Sequence, residues 1–248
     1  NLSRRFMILV NGTNEGTNYE PTAHTVSYAY HTAKRNGYDD DHILLFLQTQ
    51  DEKNPDEIIK PVRWIGKYGR MNLLVEPTPA VIDYRDREVN NENLLNAIRN
   101  LPSDDNDMVT FMYDGHGSAE SIYLRQPRLL AASFNAAIDD LRYGIYLHFQ
   151  SSSYSGGFVE KLTPHGTAIL IPNRDAYTSL GYVWNALGIS EAMDSGNPVS
   201  RGTKGLPWAQ GAPTEYYRYD WKDGRLVDDL PEAGWLNPFI YLPPASSG

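Results

Sequence analysis

The sequence predicts an α/β fold with a mainly parallel central sheet of about six strands and helices on both faces. Short apolar runs alternate with helical patterns over residues 6–171, which is typical of successive βαβ units. Two of those runs, Asp107–Tyr113 and Ile145–Phe149, end abruptly in loops rich in glycine and serine. In an open α/β sheet, ligands bind at the carboxyl ends of the strands. We therefore expect a functional site where these two loops emerge.

The first βαβ unit is predicted in the N-terminal part of the chain. Phe6–Val10 is a buried-type strand that ends in a turn cluster. Thr22–Arg35 has the pattern of a helix, with Gly37 as its C-cap, and Ile43–Leu47 is the next strand. Residues 48–80 contain several prolines and no clean period, so we expect a loop excursion there.

The alternation continues on either side of the two candidate loops. Val89–Leu101 is predicted to be a helix, because its leucines and isoleucine recur on one face. A small hairpin is expected around Ile122–Leu124 and a helix over Ala131–Arg142. A further strand is predicted over Thr167–Ile171, which completes the sheet.

The last part of the chain differs from the rest in composition. Residues 195–248 are rich in glycine, proline and aromatic residues and show no clear periodicity. We expect one domain over residues 1–194, with residues 195–248 as an irregular C-terminal extension packed on the same domain. The length is ample for a sizeable hydrophobic core.

Composition and charge argue against several classes of function. The formal net charge of −9 is unfavourable for a nucleic-acid surface. The chain has no cysteine, which excludes disulfides, thiolate metal sites and a thiol nucleophile. No apolar run approaches the roughly 20 residues of a membrane-spanning helix. The histidines lack metal-ligand spacing, and the acidic runs Asp39–Asp41 and Asp104–Asp105 lack the EF-hand pattern, so we expect solvated loops, no metal and no cofactor.

Four sequence blocks occur in a characteristic order over residues 6 to about 180. They are Asn18-Tyr19 with Lys34–Tyr38 and Asp41–Ile43, then Asp83–Arg85 with Glu88-Val89 and Glu92–Leu95, then Asp114–Gly117, and finally Ser153–Phe158. Together they resemble the caspase-fold cysteine peptidases of the legumain family (clan CD). The first two blocks resemble in particular the branch that contains the catalytic subunit of the GPI transamidase. The last two resemble the family's GHG-type histidine loop and the C-x-S-G elbow of the wider clan.

The resemblance implies a caspase-like three-layer sandwich and peptide-bond cleavage by a Cys/His dyad. By motif position it makes His116 the general base and Asn18 the residue that orients it. The backbone amides of Gly117 and Ser153 would form the oxyanion hole, and Ser153 would occupy the nucleophile position. The resemblance also implies a peptide or protein substrate and an extracytoplasmic or secreted location, and it leaves the oligomeric state open.

The nucleophile position departs from the family, because Ser153 stands where the family has cysteine. A thiol is partly ionised near neutral pH and is intrinsically nucleophilic, whereas a hydroxyl needs a well-aligned base. We therefore expect the chain as written to be nearly inert. Either it is a cysteine endopeptidase or transpeptidase with its nucleophile replaced, or it is a natural pseudo-peptidase that binds peptides without cleaving them. A serine-hydrolase variant is a weaker third interpretation, because the elbow lacks G-x-S-x-G.

The pocket for the residue before the scissile bond (P1) also departs from the family. The resemblance puts Glu20 where the family has an arginine, and Ser151 where it has an acidic residue two positions before the nucleophile. A pocket that loses a cation and gains a carboxylate would favour Lys or Arg at P1, with help from Asp175. Alternatively, Arg174 neutralises Glu20 and leaves a neutral pocket shaped by Tyr177.

Overall fold

The computed structural model describes residues 4–12, 19–48, 63–66, 69–72, 80–125, 127–155, 158, 161, 167–170, 217–220 and 225–228. Over these residues the chain has the predicted α/β fold, with helices around a mainly parallel sheet. The strands are β1 (Arg5–Gly12), β2 (Ile43–Leu47), β3 (Arg63–Gly66), β4 (Gly69–Asn72), β5 (Tyr84–Arg85), β6 (Met108–Gly115), β7 (Gly117–Ser118), β8 (Ser121–Ile122), β9 (Leu129–Leu130), β10 (Ile145–Ser151), β11 (Thr167–Leu170), β12 (Tyr217–Asp220) and β13 (Arg225–Asp228). The α-helices are α1 (Tyr19–Arg35), α2 (Asn91–Arg99) and α3 (Ala131–Asp139), and short 3-10 helices span Asp40–His42 and Asp86–Glu88.

The central sheet has the strand order β11-β10-β6-β1-β2-β5, and every neighbouring pair in it is parallel. Parallel neighbours need crossover connections, which α1 supplies between β1 and β2 and α3 supplies between β6 and β10. β5 is a two-residue edge strand, and the other five strands have four to eight residues. The carboxyl ends of β6 and β10 therefore meet at one edge.

Helices cover both faces of the sheet, so the fold has three layers. On one face, Ala29 of α1 packs with Leu9 of β1. On the other face, Leu94 of α2 and Phe134 of α3 belong to the same hydrophobic cluster as Phe111 of β6. Every residue of β1 after the first is buried, as expected for a parallel strand that is covered on both faces. The predicted fold class and its caspase-like layering are confirmed.

The predicted bounds of the main elements agree with the observed ones within a few residues. β2 has the predicted bounds, whereas α3 ends at Asp139 rather than at Arg142. The chain leaves the helix there through a tighter turn, in which the Leu141 amide donates to the Ile138 carbonyl at 3.0 Å. α2 begins after Asn90, whose side chain accepts a hydrogen bond from the Asn93 amide at 2.9 Å.

Short antiparallel strand pairs correct two of the sequence predictions and extend a third. The segment expected to be a loop excursion contains β3 and β4, and the extension expected to be irregular contains β12 and β13. The hairpin expected around Ile122–Leu124 is part of a three-stranded sheet of β7, β8 and β9. Strands of two to four residues offer too few positions for an alternation to be recognised. The predicted domain boundary at residue 194 lies outside the described residues.

A buried carboxylate joins the amino ends of the two central strands. Asp107 is fully buried and accepts from the Arg4 backbone amide at 2.9 Å and from the Arg4 guanidinium at 2.7 Å. It also accepts from the Asp104 amide at 2.8 Å. The neighbouring pair of Asp105 and Arg142, also at 2.7 Å, is exposed to solvent on both sides. The Asp107 carboxylate is shielded from water although the Arg4 side chain is 40% exposed, so Asp107 depends on its hydrogen-bond donors more than the exposed Asp105 does.

Among the described residues, no helix has both the length and the apolar character needed to cross a membrane.

Candidate active site

The two loops predicted from the sequence leave the sheet side by side. β6 ends in the histidine loop (residues 115–118), and β10 ends in the serine elbow (residues 151–155). β6 and β10 are parallel neighbours, and the register places Ser151 beside Asp114. The carboxyl edge of the sheet therefore brings the segments that carry His116 and Ser153 together, as the sequence predicts.

The histidine loop and the serine elbow are in direct contact at Gly117. A Cβ atom built on Gly117 would lie 2.8 Å from the Ser152 Oγ and 2.8 Å from the Ser153 carbonyl oxygen. Contacts below 3.0 Å are essentially never seen for real Cβ atoms, and one of these two is with backbone. Glycine at position 117 thus permits the close approach of the loop to the elbow.

The backbone of His116 is held by three hydrogen bonds from the protein interior. Its amide donates to the Gly12 carbonyl at 3.1 Å, and its carbonyl accepts from the Tyr123 amide at 3.1 Å. The fully buried Tyr113 hydroxyl donates to the same carbonyl at 2.7 Å. The two strands approach so closely here that a Cβ on Gly115 would overlap the Gly12 carbonyl. The base of the histidine loop is therefore fixed by core groups.

The His116 side chain has the properties of a base at neutral pH. It is half-buried, and burial lowers the pKa of its imidazole from the ordinary value of 6.5. The ring is therefore neutral at pH 7 and able to accept a proton. Its Nε2 atom is buried and has no hydrogen-bond partner among the residues that the structure describes. A buried ring nitrogen without a partner among the described residues needs an explanation, and a catalytic role is one that accounts for it.

The serine elbow turns sharply after Ser153. Ser153 is 9% exposed, and Ser151, Ser152 and Ser155 are almost fully buried. Tyr154 has φ of 55°, in the left-handed region that side chains other than glycine rarely adopt. This conformation costs about 1–2 kcal/mol relative to the ordinary one. Tyr154 thus holds backbone strain directly after Ser153, and such strain is found most often at active sites and ligand-binding loops.

A polar ladder runs along the buried face of β10 and ends in the serine elbow. It consists of Tyr146, His148, Gln150 and Ser152, which are all 0% exposed. The Tyr146 hydroxyl lies 3.0 Å from His148 Nδ1, and His148 Nε2 lies 2.8 Å from Gln150 Oε1. The Gln150 amide nitrogen donates to Ser152 Oγ at 2.9 Å. Sequence analysis did not identify this ladder, although its members occupy alternate positions and therefore share one face of the strand.

Several predicted site residues fall outside what the structure describes. Asn18, Asp175 and Tyr177 lie outside the described residues, so their roles remain predictions. Glu20 lies in the first turn of α1, but its side chain is not described. Ser151 is 1% exposed at the end of β10. Within the described part of the chain, no three histidine, aspartate or glutamate side chains form a group that could hold a metal ion.

Comparison with known families agrees with this geometry. Residues 5–193 match the sequence model of the Peptidase C13 family. The match begins at β1 and extends past β11, so it includes both the histidine loop and the serine elbow. No protein among the curated sequences matches the chain.

Proposed function

Because the chain belongs to the Peptidase C13 family, the legumain family of cysteine peptidases, we propose that its site is a dyad of His116 and residue 153 that acts on peptide bonds. Peptide or protein substrates follow from the family. The observation that supports the dyad is the contact at Gly117, which joins the histidine loop to the carbonyl of Ser153. A base on one strand and a nucleophile position on the neighbouring strand is the arrangement required for acyl transfer.

In the proposed mechanism, neutral His116 accepts the proton of the side chain at position 153, which attacks the scissile carbonyl carbon. The carbonyl oxygen becomes an oxyanion, stabilised by the backbone amides of Gly117 and Ser153. His116 then gives the proton to the leaving amine as the C–N bond breaks, and an acyl-enzyme forms. His116 removes a proton from water or an amine, which attacks the acyl group; the bond to the side chain at position 153 breaks, and that side chain takes the proton back from His116. Asn18 is proposed to orient the imidazole.

Serine at the nucleophile position predicts that the chain as written cleaves very slowly. A serine hydroxyl has a far higher pKa than a thiol, so His116 must remove its proton during the attack. The Ser153→Cys variant should therefore cleave a peptide library, and adding His116→Ala should abolish that cleavage. A folded Ser153→Cys protein that binds library peptides and leaves them intact would favour the alternative, a pseudo-peptidase.

We propose that the pocket prefers a basic P1 side chain. α1 follows the carboxyl end of β1, so its first turn, with Glu20, lies at the same edge as the catalytic loops. A partly desolvated carboxylate attracts a cation, and arginine engages it through two hydrogen bonds. With Ser153→Cys, kcat/KM should be higher for P1 Arg or Lys than for Asn or Asp. Glu20→Arg should weaken the preference, with Glu20→Gln as the uncharged control. Equal kcat/KM values for matched Arg and Asn peptides would rule out the electrostatic interpretation.

The remaining details of the proposal come from the sequence motifs alone. The sequence blocks at Asp83–Arg85 and around α1 favour the branch that contains the GPI transamidase catalytic subunit. In that branch an amine could replace water as the acyl acceptor. Adding a small amine such as hydroxylamine to the Ser153→Cys reaction distinguishes the two acceptors by the mass of the product. An extracytoplasmic location is proposed on the same basis, and packing of residues 195–248 on the domain is proposed from their composition.

A further inference from the structure

The polar ladder of β10 lies in an apolar environment that does not require it. The His148 ring contacts Phe111, Phe134 and Phe158, with ring centroids 5.1, 5.8 and 6.3 Å away. Burying polar groups in such a layer is costly unless every group is hydrogen-bonded. An apolar strand face of similar shape would be about as stable. Stability alone therefore does not account for four consecutive polar positions on this face.

The ladder has a definite direction that ends at Ser152. The Gln150 amide nitrogen donates to Ser152 Oγ, so the Gln150 oxygen faces His148 and accepts from its Nε2–H. With Nε2 protonated, the Nδ1 atom of neutral His148 accepts from the Tyr146 hydroxyl. Burial lowers the His148 pKa to about 4, which keeps this arrangement unchanged at neutral pH. Each group thus fixes the orientation of the next along the strand.

Ser152, the last member of the ladder, contacts both catalytic segments. It precedes Ser153 in the chain, and its Oγ atom lies 2.8 Å from the Cβ position of Gly117 in the histidine loop. A shift of this hydroxyl would move the histidine loop, the serine elbow or both. We propose that Ser152, held by Gln150 and His148, is a positioning residue that sets the separation of the two segments and thereby aligns residue 153 with His116. This inference rests on the proposed dyad.

The absence of cysteine from the chain permits a test that needs no substrate. Ser153→Cys introduces a single thiol, and its rate of alkylation by iodoacetamide, measured from pH 5 to pH 9, reports how readily it loses its proton. The exposed Asn100, between α2 and the amino end of β6, provides a matched control, because Asn100→Cys gives a single thiol at the opposite edge of the sheet. The dyad predicts that, at pH 7 and after correction for exposure, the thiol at position 153 is alkylated about tenfold or more faster than the control thiol. Adding His116→Ala should remove this difference in rate.

The ladder is tested by further substitutions in the Ser153→Cys protein. Ser152→Ala removes only the hydroxyl that contacts the histidine loop, and Gln150→Leu removes the amide that holds it. Both should lower alkylation at pH 7 by about tenfold and shift the pH profile towards that of the His116→Ala protein. Asp107→Asn also disturbs a buried hydrogen-bonded group, but at the amino ends of the strands and outside the ladder. It should lower the thermal midpoint without changing the pH profile.

The possible outcomes separate this inference from the proposed function. If His116→Ala leaves alkylation of the thiol at position 153 unchanged, the dyad is wrong and the positioning role falls with it. If His116→Ala slows alkylation but Ser152→Ala and Gln150→Leu do not, the dyad stands and the positioning role is wrong. Circular dichroism establishes folding for every variant, and Ser152→Ala decides the result if Gln150→Leu does not fold. An effect of Asp107→Asn equal to that of Ser152→Ala would indicate a general structural role and overturn the proposal.

Discussion

Replacing His148 by phenylalanine should flatten the pH dependence of folding stability between about pH 4 and pH 6.5. His148 is fully buried, and burial lowers the pKa of its imidazole to about 4. An unfolded chain binds the same proton with a pKa of about 6.5. The side chains around the ring, Tyr146, Gln150 and the phenylalanines of the apolar layer, carry no charge in this pH range.

The size and sign of the effect follow from these two pKa values. Between pH 6.5 and pH 4 the unfolded state binds more protons at this site than the folded state, so acidification favours unfolding. Each unit of difference in pKa corresponds to about 1.4 kcal/mol. The contribution of His148 to the free energy of unfolding should therefore fall by about 3 kcal/mol between pH 7 and pH 4, and it should level off within about one pH unit below that.

Urea unfolding at half-unit steps from pH 7 to pH 4 measures this contribution directly. His148→Phe leaves the Gln150 oxygen without its donor, so the variant should be less stable at pH 7 by about 1–3 kcal/mol. The difference should close, or reverse, as the pH approaches 4. Tyr146→Phe is the control, because it removes a bond from the ladder but keeps the buried imidazole and hence the wild-type slope. Parallel stability curves for wild type and His148→Phe would refute the argument.

Three further predictions concern the loops and the amino edge of the sheet. Gly117→Ala in the Ser153→Cys protein should push the histidine loop away from the elbow and reduce kcat/KM about tenfold or more, whereas unchanged kinetics would contradict the close contact. Tyr154→Asn should raise the free energy of unfolding by about 1 kcal/mol, because asparagine tolerates the left-handed backbone; urea unfolding at pH 7 tests this. Asp107→Asn should lower stability by about 2 kcal/mol or more, while the exposed Asp105→Asn should have a much smaller effect; similar thermal midpoints for the two variants would refute the distinction.

The fold was predictable because its signals are local and repeated. The strand over Ile43–Leu47 is a continuous apolar run, as a strand that is covered on both faces requires. The alternation of such runs with helical patterns then implies parallel neighbours through right-handed crossovers. The same pattern is enough to bring the segments of His116 and Ser153 to one edge of the sheet. Strands as short as Tyr84–Arg85 carry no such signal, because two residues cannot show a period.

The polar ladder shows why the atomic detail of the site was not predictable. The alternation in β10 indicates that Tyr146, His148, Gln150 and Ser152 share a face, and a polar face on a strand normally indicates exposure to water. In the structure that face is buried, because Phe134 of α3 covers it. Which face of a strand is covered depends on a helix elsewhere in the chain, and pattern alone does not contain that information. The contact at Gly117 likewise depends on the register between β6 and β10.

The order of strands in the sheet has a consequence for how the chain folds. β1 is made first but lies in the middle of the sheet, where Arg5 pairs with Met108 of β6. Closing the long loop between Arg5 and Met108 has a high entropic cost, and it slows folding relative to proteins with local contacts. A nascent chain that has not yet reached Ile145 lacks β10, so it exposes an unpaired edge of β6 and has no serine elbow. During synthesis the segment that carries Ser153 therefore appears only after His116 and the central strands β1 and β6 are already present.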